Sequence, residues 1–239
     1  MKGISMSGKI QGAPGFCLVR EIERVPAALL KRLGKFPAAI IGDVLGRRSL
    51  MAAHIRPVNP ARRLCGSALT VETRAGDNLM VHAALELARP GDVLVIDAHG
   101  DVSTAIMGGL MGLAAEKIGL GGVIIDGALR DRDELFAFKV PYYCKAFTPC
   151  GPDKDGPGQI NMPISCGGVA IQPGDAIVGD ADGVVVVPRA LAAAAADGAA
   201  VKLASEKKRI AEIKRGQIAQ AWLTAALRAK GVLKAGESL

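Results

Sequence analysis

GGVIIDGALRDRD, residues 121–133, is the stretch from which the fold can be read. Val123-Ile124-Ile125 is a short apolar, β-branched run bounded by glycines, the pattern of a buried strand. Asp126-Gly127 is a turn dipeptide and predicts the end of that strand. Arg130 and Asp131 follow at once. A fixed cation beside a carboxylate at the carboxyl end of a buried strand lies where open α/β sheets bind ligands. Arginine offers a planar fork of donors to a carboxylate or a keto oxygen. Aspartate is a hard oxygen ligand suited to Mg²⁺. The competing reading is an exposed turn whose charges make weak surface pairs.

Working outward, the same alternation repeats. Val93 to Asp97 is a strongly apolar strand, entered through the turn Gly91-Asp92. Ala105 to Ile118 reads as a glycine-rich helix closing on Gly119, a helix-stop signal. A helix from about Asp131 to Phe138 and a strand from Val140 to Ala146 come next. Upstream lie short helices at Val25–Gly34 and Ala38–Leu45, a Pro- and Arg-rich loop or edge at Ala53–Arg63, a strand at Leu64–Glu72 and a helix at Leu79–Ala88. Downstream, residues 148–163 form a Pro/Gly loop. Short strands at Val169–Ile171, Ala176–Gly179 and Val184–Val187 follow, then an Ala-rich helix from Ala190 to about Arg215. Strands alternating with helices imply a sheet flanked by helices. The late run of short strands does not fit a doubly wound pattern. The expectation is one α/β domain with a mixed sheet or barrel-like core and a protruding C-terminal helix. Residues 1–24 form an irregular arm, 25–189 the domain, and 190–239 a helical extension.

Composition narrows the function classes. The chain has 239 residues, 50% hydrophobic but only 3% aromatic, so its core is built from aliphatic side chains. The net charge of +7 suits an anionic small substrate. The basic clusters carry no interleaved aromatics, so they do not call for nucleic acid. Five scattered cysteines without a CxxC pair point to reduced thiols in a cytoplasmic protein and away from a zinc site. The N-terminus has no apolar segment of a secretory signal. The apolar stretch Val184–Ala204 is broken by Pro188, Arg189, Asp197 and Lys202, so no membrane span is expected.

Several polar groups invite a chemical role, each beside a plainer one. Gly108-Gly109-Leu110-Met111-Gly112 opens a helix, where free amides bind carboxylate or phosphate; close helix–sheet packing uses the same glycines. Asp97, His99 and Asp101 cluster after a strand as metal ligands or as loop and capping groups. Asp77 caps the helix that begins at Leu79. His54 and His82 are isolated and read as structural. Gly179-Asp-Ala-Asp-Gly183 lacks the spacing of a calcium loop and reads as a tight turn. There is no P-loop and no G-x-S-x-G.

Taken in order, Gly76-Asp77-Asn78, Arg89-Pro-Gly-Asp-Val-Leu-Val-Ile-Asp97, Gly108-Gly-Leu-Met111, Gly122-Val-Ile-Ile-Asp-Gly-Ala-Leu-Arg-Asp131, and Pro173-Gly-Asp175 with Gly179–Pro188 resemble the RraA-like superfamily over roughly residues 25–215. That superfamily holds the regulator of ribonuclease activity A and the class II 4-hydroxy-4-methyl-2-oxoglutarate / 4-carboxy-4-hydroxy-2-oxoadipate aldolases. The resemblance implies a single-domain α-β-β-α sandwich of the phosphohistidine-swivelling type, assembled as a trimer or a hexamer. It implies that Arg130 binds the keto acid and is catalytic, and that Asp131 holds Mg²⁺ or Mn²⁺. The glycine-rich helix start, Gly108, Gly109, Leu110 and Met111, takes the pyruvate carboxylate on its amides. Glu206, or failing that Glu212, reaches the metal from a neighbouring subunit's C-terminal helix. One departure stands out. The aldolases carry an acidic residue 21 positions before the arginine, and here that place is Gly109; Asp101, a little over two helical turns upstream, is the candidate substitute.

The expected activity is a metal-dependent retro-aldol lyase that releases pyruvate from 4-hydroxy-2-oxo di- or tricarboxylic acids, with oxaloacetate decarboxylation through the same enolate. No lysine at the motif offers a Schiff base. The alternatives are a non-catalytic regulator docking on a ribonuclease or helicase, and a divergent lyase or isomerase acting on another oxo acid.

Overall fold

The computed structural model describes residues 8–239. In chain order the elements are β1 (Ile10–Ala13), β2 (Phe16–Val19), α1 (Ala27–Leu33), α2 (Ala38–Val44), β3 (Arg56–Pro57), β4 (Leu64–Thr73), α3 (Leu79–Leu87), β5 (Val93–Asp97), β6 (Ala105–Met107), α4 (Gly109–Ile118), β7 (Gly122–Leu129), α5 (Arg132–Ala137) and β8 (Tyr142–Phe147). Then come β9 (Gly158–Ile160), β10 (Ile164–Cys166), β11 (Val169–Ile171), β12 (Ala176–Asp180), β13 (Gly183–Val187), α6 (Ala192–Lys214) and α7 (Ala221–Ala229).

The centre is a parallel run, β4-β5-β7-β8, and both its faces are covered. Leu94 and Ile96 of β5 and Val123 and Ile125 of β7 pack with Val81 and Ala84 of α3 and Met111 and Ala115 of α4. Val93, Val95 and Ile124 point the other way and meet Ile164, Ile171, Ile177 and Val186 from β10–β13. Two buried faces explain why VLVID and GVIID show no polar alternation. β4 is long enough to serve three partners: antiparallel β12 at Leu64–Ser67, parallel β5 at Ala68–Glu72, and antiparallel β9 at Val71–Thr73. The result is a mixed α/β fold, with helices on one face of the sheet and two β-hairpins on the other.

Four expectations need correction. Ala105–Met107 is not the first turn of a helix but strand β6, lying parallel to the end of β7. Its pairing partner, remote in sequence, overrides the helical look of the segment. Asp126-Gly127 does not end the strand. It is an irregularity inside β7, where the register with β8 shifts between Ile125 and Ala128 while Asp126 Oδ2 accepts the Gly167 N–H at 2.8 Å. The described part of the arm, residues 8–24, is not irregular, because Ile10–Val19 forms the β1–β2 hairpin that extends the sheet through β9. Residues 1–7 of that arm lie outside the described residues. The loop 148–163 contains β9. Gly119 does stop α4, in a left-handed conformation at φ 78°.

The described residues from 8 to Ala200 form one compact unit and Val201–Leu239 a second. In the first, the opening turns of α6 bury Ala192, Ala195, Ala196 and Ala199. In the second, Arg209 donates to the carbonyls of Gln217 (2.9 Å) and Ile218 (2.5 Å) and pairs with Glu212 at 3.2 Å, closing the turn between α6 and α7. Among the described residues no helix is long and apolar enough to cross a membrane.

Candidate active site

β7 delivers Arg130 and Asp131 to the start of α4. The Arg130 N–H donates to Met107 O at 3.0 Å, which locks the strand end against β6. Asp131 stands before α5 in the left-handed region (φ 56°, ψ 48°). Such a conformation costs a non-glycine residue about 1–3 kcal/mol and clusters at functional sites. Here it turns the carboxylate away from its own helix toward α4. Asp131 Oδ2 accepts the Gly109 N–H at 2.8 Å and lies 3.6 Å from Arg130 Nε.

The glycines at this helix start are required by what approaches them. A Cβ on Gly108 would stand 2.3 Å from Asp131 Oδ2 and 2.7 Å from Arg130 Cγ. A Cβ on Gly109 would stand 1.8 Å from Glu134 Oε2. Thus the carboxylates of Asp131 and Glu134 both fold over the first residues of α4. The next amides, of Leu110 and Met111, have no carbonyl inside the helix to bond and remain available to an anion. Met111 fixes this turn from below, its buried side chain accepting from Asn78 Nδ2 at 3.4 Å. Leu110 instead is 86% exposed.

The far wall is the segment after β8. It is tied down where Thr148 N–H donates to Leu129 O at 3.0 Å and Ala105 N–H to Cys150 O at 2.9 Å. Gly151 lies so close to the Arg130 guanidinium that a Cβ there would be 2.8 Å from Nη1. Beside Arg130 and Asp131 this segment borders a cleft of about 330 Å³ lined by Arg130, Asp131, Arg132, Phe147, Thr148 and Pro149. The side chains of Arg130 and Asp131 are 42% and 40% exposed, so their pairing adds little stability and both remain open to a ligand.

Arg130, Asp131 and the start of α4 are thus brought together. Glu206 and Glu212 lie on α6 in the second unit, Glu206 exposed and Glu212 held by Arg209. Sequence reasoning missed Glu134. Its signal was the Asp131-x-x-Glu134 spacing at a helix start, which reads as ordinary capping. Asp101 is engaged through one carboxylate oxygen in its own loop. Its Oδ1 accepts from both the N–H (3.1 Å) and the hydroxyl (2.7 Å) of Ser103, and these bonds hold its carboxyl below the usual range. At Gly109 the approaching carboxylate is that of Glu134.

Asp97, Asp77 and Asp180 are hydrogen-bonded within the fold. Burial pushes the Asp97 carboxyl up, and its Oδ1 accepts the His99 N–H at 2.9 Å in a local turn. Asp77 is fully buried. It accepts the amides of Leu79 (2.9 Å), Asp155 (2.7 Å) and Gly156 (2.9 Å) and thereby pins the 153–157 segment to the start of α3. Burial raises the Asp77 carboxyl, but those amides and Arg74 outweigh it, leaving a pKa below the usual range. In the tight turn 179–183, Asp180 accepts the Ala38 N–H at 2.8 Å and so anchors α2. All five cysteines are free thiols.

Among the described residues no group of three or more His, Cys, Asp or Glu side chains is arranged to hold a metal. The carboxylates gathered at the glycine-opened start of α4 are those of Asp131 and Glu134. Mg²⁺ is commonly held by one or two carboxylates, with water and substrate oxygens completing its shell, so the pair fits such an ion.

The RraA-like family model, described as Aldolase/RraA, matches residues 38–186. A protein of Halalkalibacterium halodurans named "Putative 4-hydroxy-4-methyl-2-oxoglutarate aldolase" is 45% identical over 153 residues, 64% of this chain and 73% of that protein. A Burkholderia mallei protein of the same name is 41% identical over 136 residues, 57% of this chain and 82% of its own. The solved structure of Streptomyces coelicolor RraAS2, titled an unusual member of the RNase ES inhibitor RraA protein family, is 27% identical, with a TM-score of 0.68 over 82% of this chain and all of that one.

Proposed function

The chain belongs to the RraA-like family, and from that premise we propose that it is a carbon–carbon lyase that releases pyruvate from 4-hydroxy-2-oxo di- or tricarboxylic acids and decarboxylates oxaloacetate as a side reaction. The observation that carries this reading is that Asp131, which lines the cleft with Arg130, is tied to the start of α4 by the 2.8 Å bond from Gly109 N–H to Asp131 Oδ2. The amides of Leu110 and Met111 take the substrate's C1 carboxylate. Arg130 donates to the keto oxygen, where negative charge grows as the C3–C4 bond breaks and its electron pair moves into the enolate. The C4 hydroxyl gives its proton to a water held near Arg130, and protonation at C3 completes pyruvate. Oxaloacetate reaches the same enolate by losing CO₂.

Asp131 and Glu134 would hold a divalent ion, Mg²⁺ or Mn²⁺, with Glu134 in the space that a side chain at position 109 would otherwise use. When bound, such an ion supplies Lewis-acid stabilisation of the developing charge. Oxygen ligands suit Mg²⁺ and Mn²⁺ over softer metals.

The layering is read as the α-β-β-α sandwich of the phosphohistidine-swivelling type, in a closed trimer or hexamer. The exposed Leu110 and Leu113 on α4 support a neighbour there, one that brings Glu206 on its C-terminal helix. The five free thiols suit a cytoplasmic setting. The likeness to RraAS2 favours a second reading, a non-catalytic regulator of a ribonuclease or helicase. Pyruvate release from oxaloacetate, measured with Mg²⁺ and after chelation by EDTA, separates the two: a lyase turns over and stops on chelation, a regulator never does.

A further inference from the structure

Arg132 is not used by the mechanism above, yet it lines the same cleft as Arg130. Its guanidinium carbon lies 5.0 Å from the centroid of the Phe147 ring. A stack on an aromatic face fixes a guanidinium in place and leaves its N–H donors, which lie in the guanidinium plane, unspent. Among the described residues no carboxylate pairs with Arg132, although Asp131, Asp133 and Glu134 surround it in sequence. Asp131 turns to Gly109 instead, and Glu134 lies over the start of α4. The cleft therefore presents two guanidiniums with different commitments. Arg130 is held between Asp131 and Gly151, facing the helix start. Arg132 stands on the Phe147 side, a wall completed by Thr148 and Pro149. A ligand with one anionic end leaves the second arginine unanswered; a ligand with carboxylates at both ends answers both.

We propose that Arg132 is a specificity-determining residue that binds the distal carboxylate of the substrate, so that the cleft selects oxo dicarboxylates over oxo monocarboxylates. This rests on the oxo-acid reading of the same site. Phe147 is the positioning residue: it holds the guanidinium over its ring, so that the N–H donors are offered to a carboxylate. The oxo acid's C1 end stays with Arg130 and the α4 amides. Discrimination between the two ligand classes thus belongs to a residue that takes no part in bond cleavage.

The test is equilibrium binding to the full-length protein with Mg²⁺ present, using 2-oxoglutarate and 2-oxovalerate. The two probes differ only in a distal carboxylate against a methyl group, and neither is cleaved. The wild type should bind 2-oxoglutarate about tenfold more tightly, the size expected of one charge-assisted contact at a partly exposed site. Arg132→Gln should bring the ratio near one while leaving 2-oxovalerate affinity unchanged, and Arg132→Lys should retain part of the preference. Phe147→Leu should lower the ratio with Arg132 still present. Thermal unfolding of each variant checks that the fold is kept. A preference that survives Arg132→Gln overturns the assignment, as does a wild type with no preference. Equal loss of both ligands also overturns it, since Arg132 would then only shape the wall. If the wild type binds neither probe, the oxo-acid reading falls with it, whereas a wild type that binds both equally leaves that reading standing.

Discussion

Placing an aspartate at position 109 tests how this site supplies its second carboxylate. The new Cβ would lie 1.8 Å from Glu134 Oε2, so the two groups cannot share the space. The obstructing atom is the end of a flexible, exposed side chain, so Glu134 shifts just enough to clear the new side chain and the fold survives. Without a cation, Gly109→Asp then gathers three carboxylates, those of residues 109, 131 and 134, around one helix start. Two like charges about 4 Å apart in a solvated site repel by roughly 1 kcal/mol, partly offset by the positive end of α4. The single variant should therefore be less stable by about 1 kcal/mol in EDTA and regain that loss in Mg²⁺. Glu134→Gln removes a hard oxygen and should weaken metal binding by about 10-fold, the low end of what losing a supporting group costs a metal site. Combining Gly109→Asp with Glu134→Gln restores the carboxylate from the other helix and should recover most of that affinity. Calorimetric titration with Mn²⁺ and Mg²⁺, alongside thermal unfolding, reads all four proteins. If Glu134→Gln binds metal as the wild type does, or the double variant binds no better than Glu134→Gln alone, Glu134 is not the replacement for a side chain at 109.

Asp77→Asn should destabilise the protein by about 2–3 kcal/mol, because an amide cannot accept all the backbone N–H groups that the buried carboxylate now satisfies; urea unfolding with unchanged stability would refute that. The folded pKa of Asp77 is lowered, so its contribution is present above the unfolded carboxylate pKa and is lost as pH falls through the folded value. Stability of the wild type should accordingly decline on acidification below about pH 4 more steeply than that of Asp77→Asn. Gly151→Ala should displace the Arg130 guanidinium, whose Nη1 would lie 2.8 Å from the added carbon, and lower kcat more than it alters the unfolding temperature.

The central strands were readable because nothing competes with their pattern. Val93–Asp97 is apolar and β-branched on both faces, and the structure places it between two cores. Gly119 was readable because only one backbone conformation ends that helix there. What escaped was set by distant partners. Ala105–Met107 carries no periodicity of its own and becomes a strand by pairing with Ala128 and Leu129. β9 and β10 are three residues each, too short to show alternation. Asp126-Gly127 has the composition of a turn but is held within β7 by Gly167. In the site, Arg130 and Asp131 were legible because a charged pair ending a buried strand is unusual locally. Glu134 was not, since its place depends on how α5 approaches α4. Arg132 was equally silent, because its Phe147 partner lies in the next strand.

The most direct measurement is the rate of pyruvate formation from oxaloacetate by the wild type and by Arg130→Ala, each with saturating Mg²⁺ and again after exhaustive chelation. The wild type should turn over with Mg²⁺ and fall to background in EDTA. Arg130→Ala should lose on the order of 10²-fold or more in kcat while unfolding at the wild-type temperature, because its side chain is partly exposed and adds little to the fold. A wild type that forms no pyruvate, or an Arg130→Ala variant with near-normal turnover, would contradict the lyase assignment.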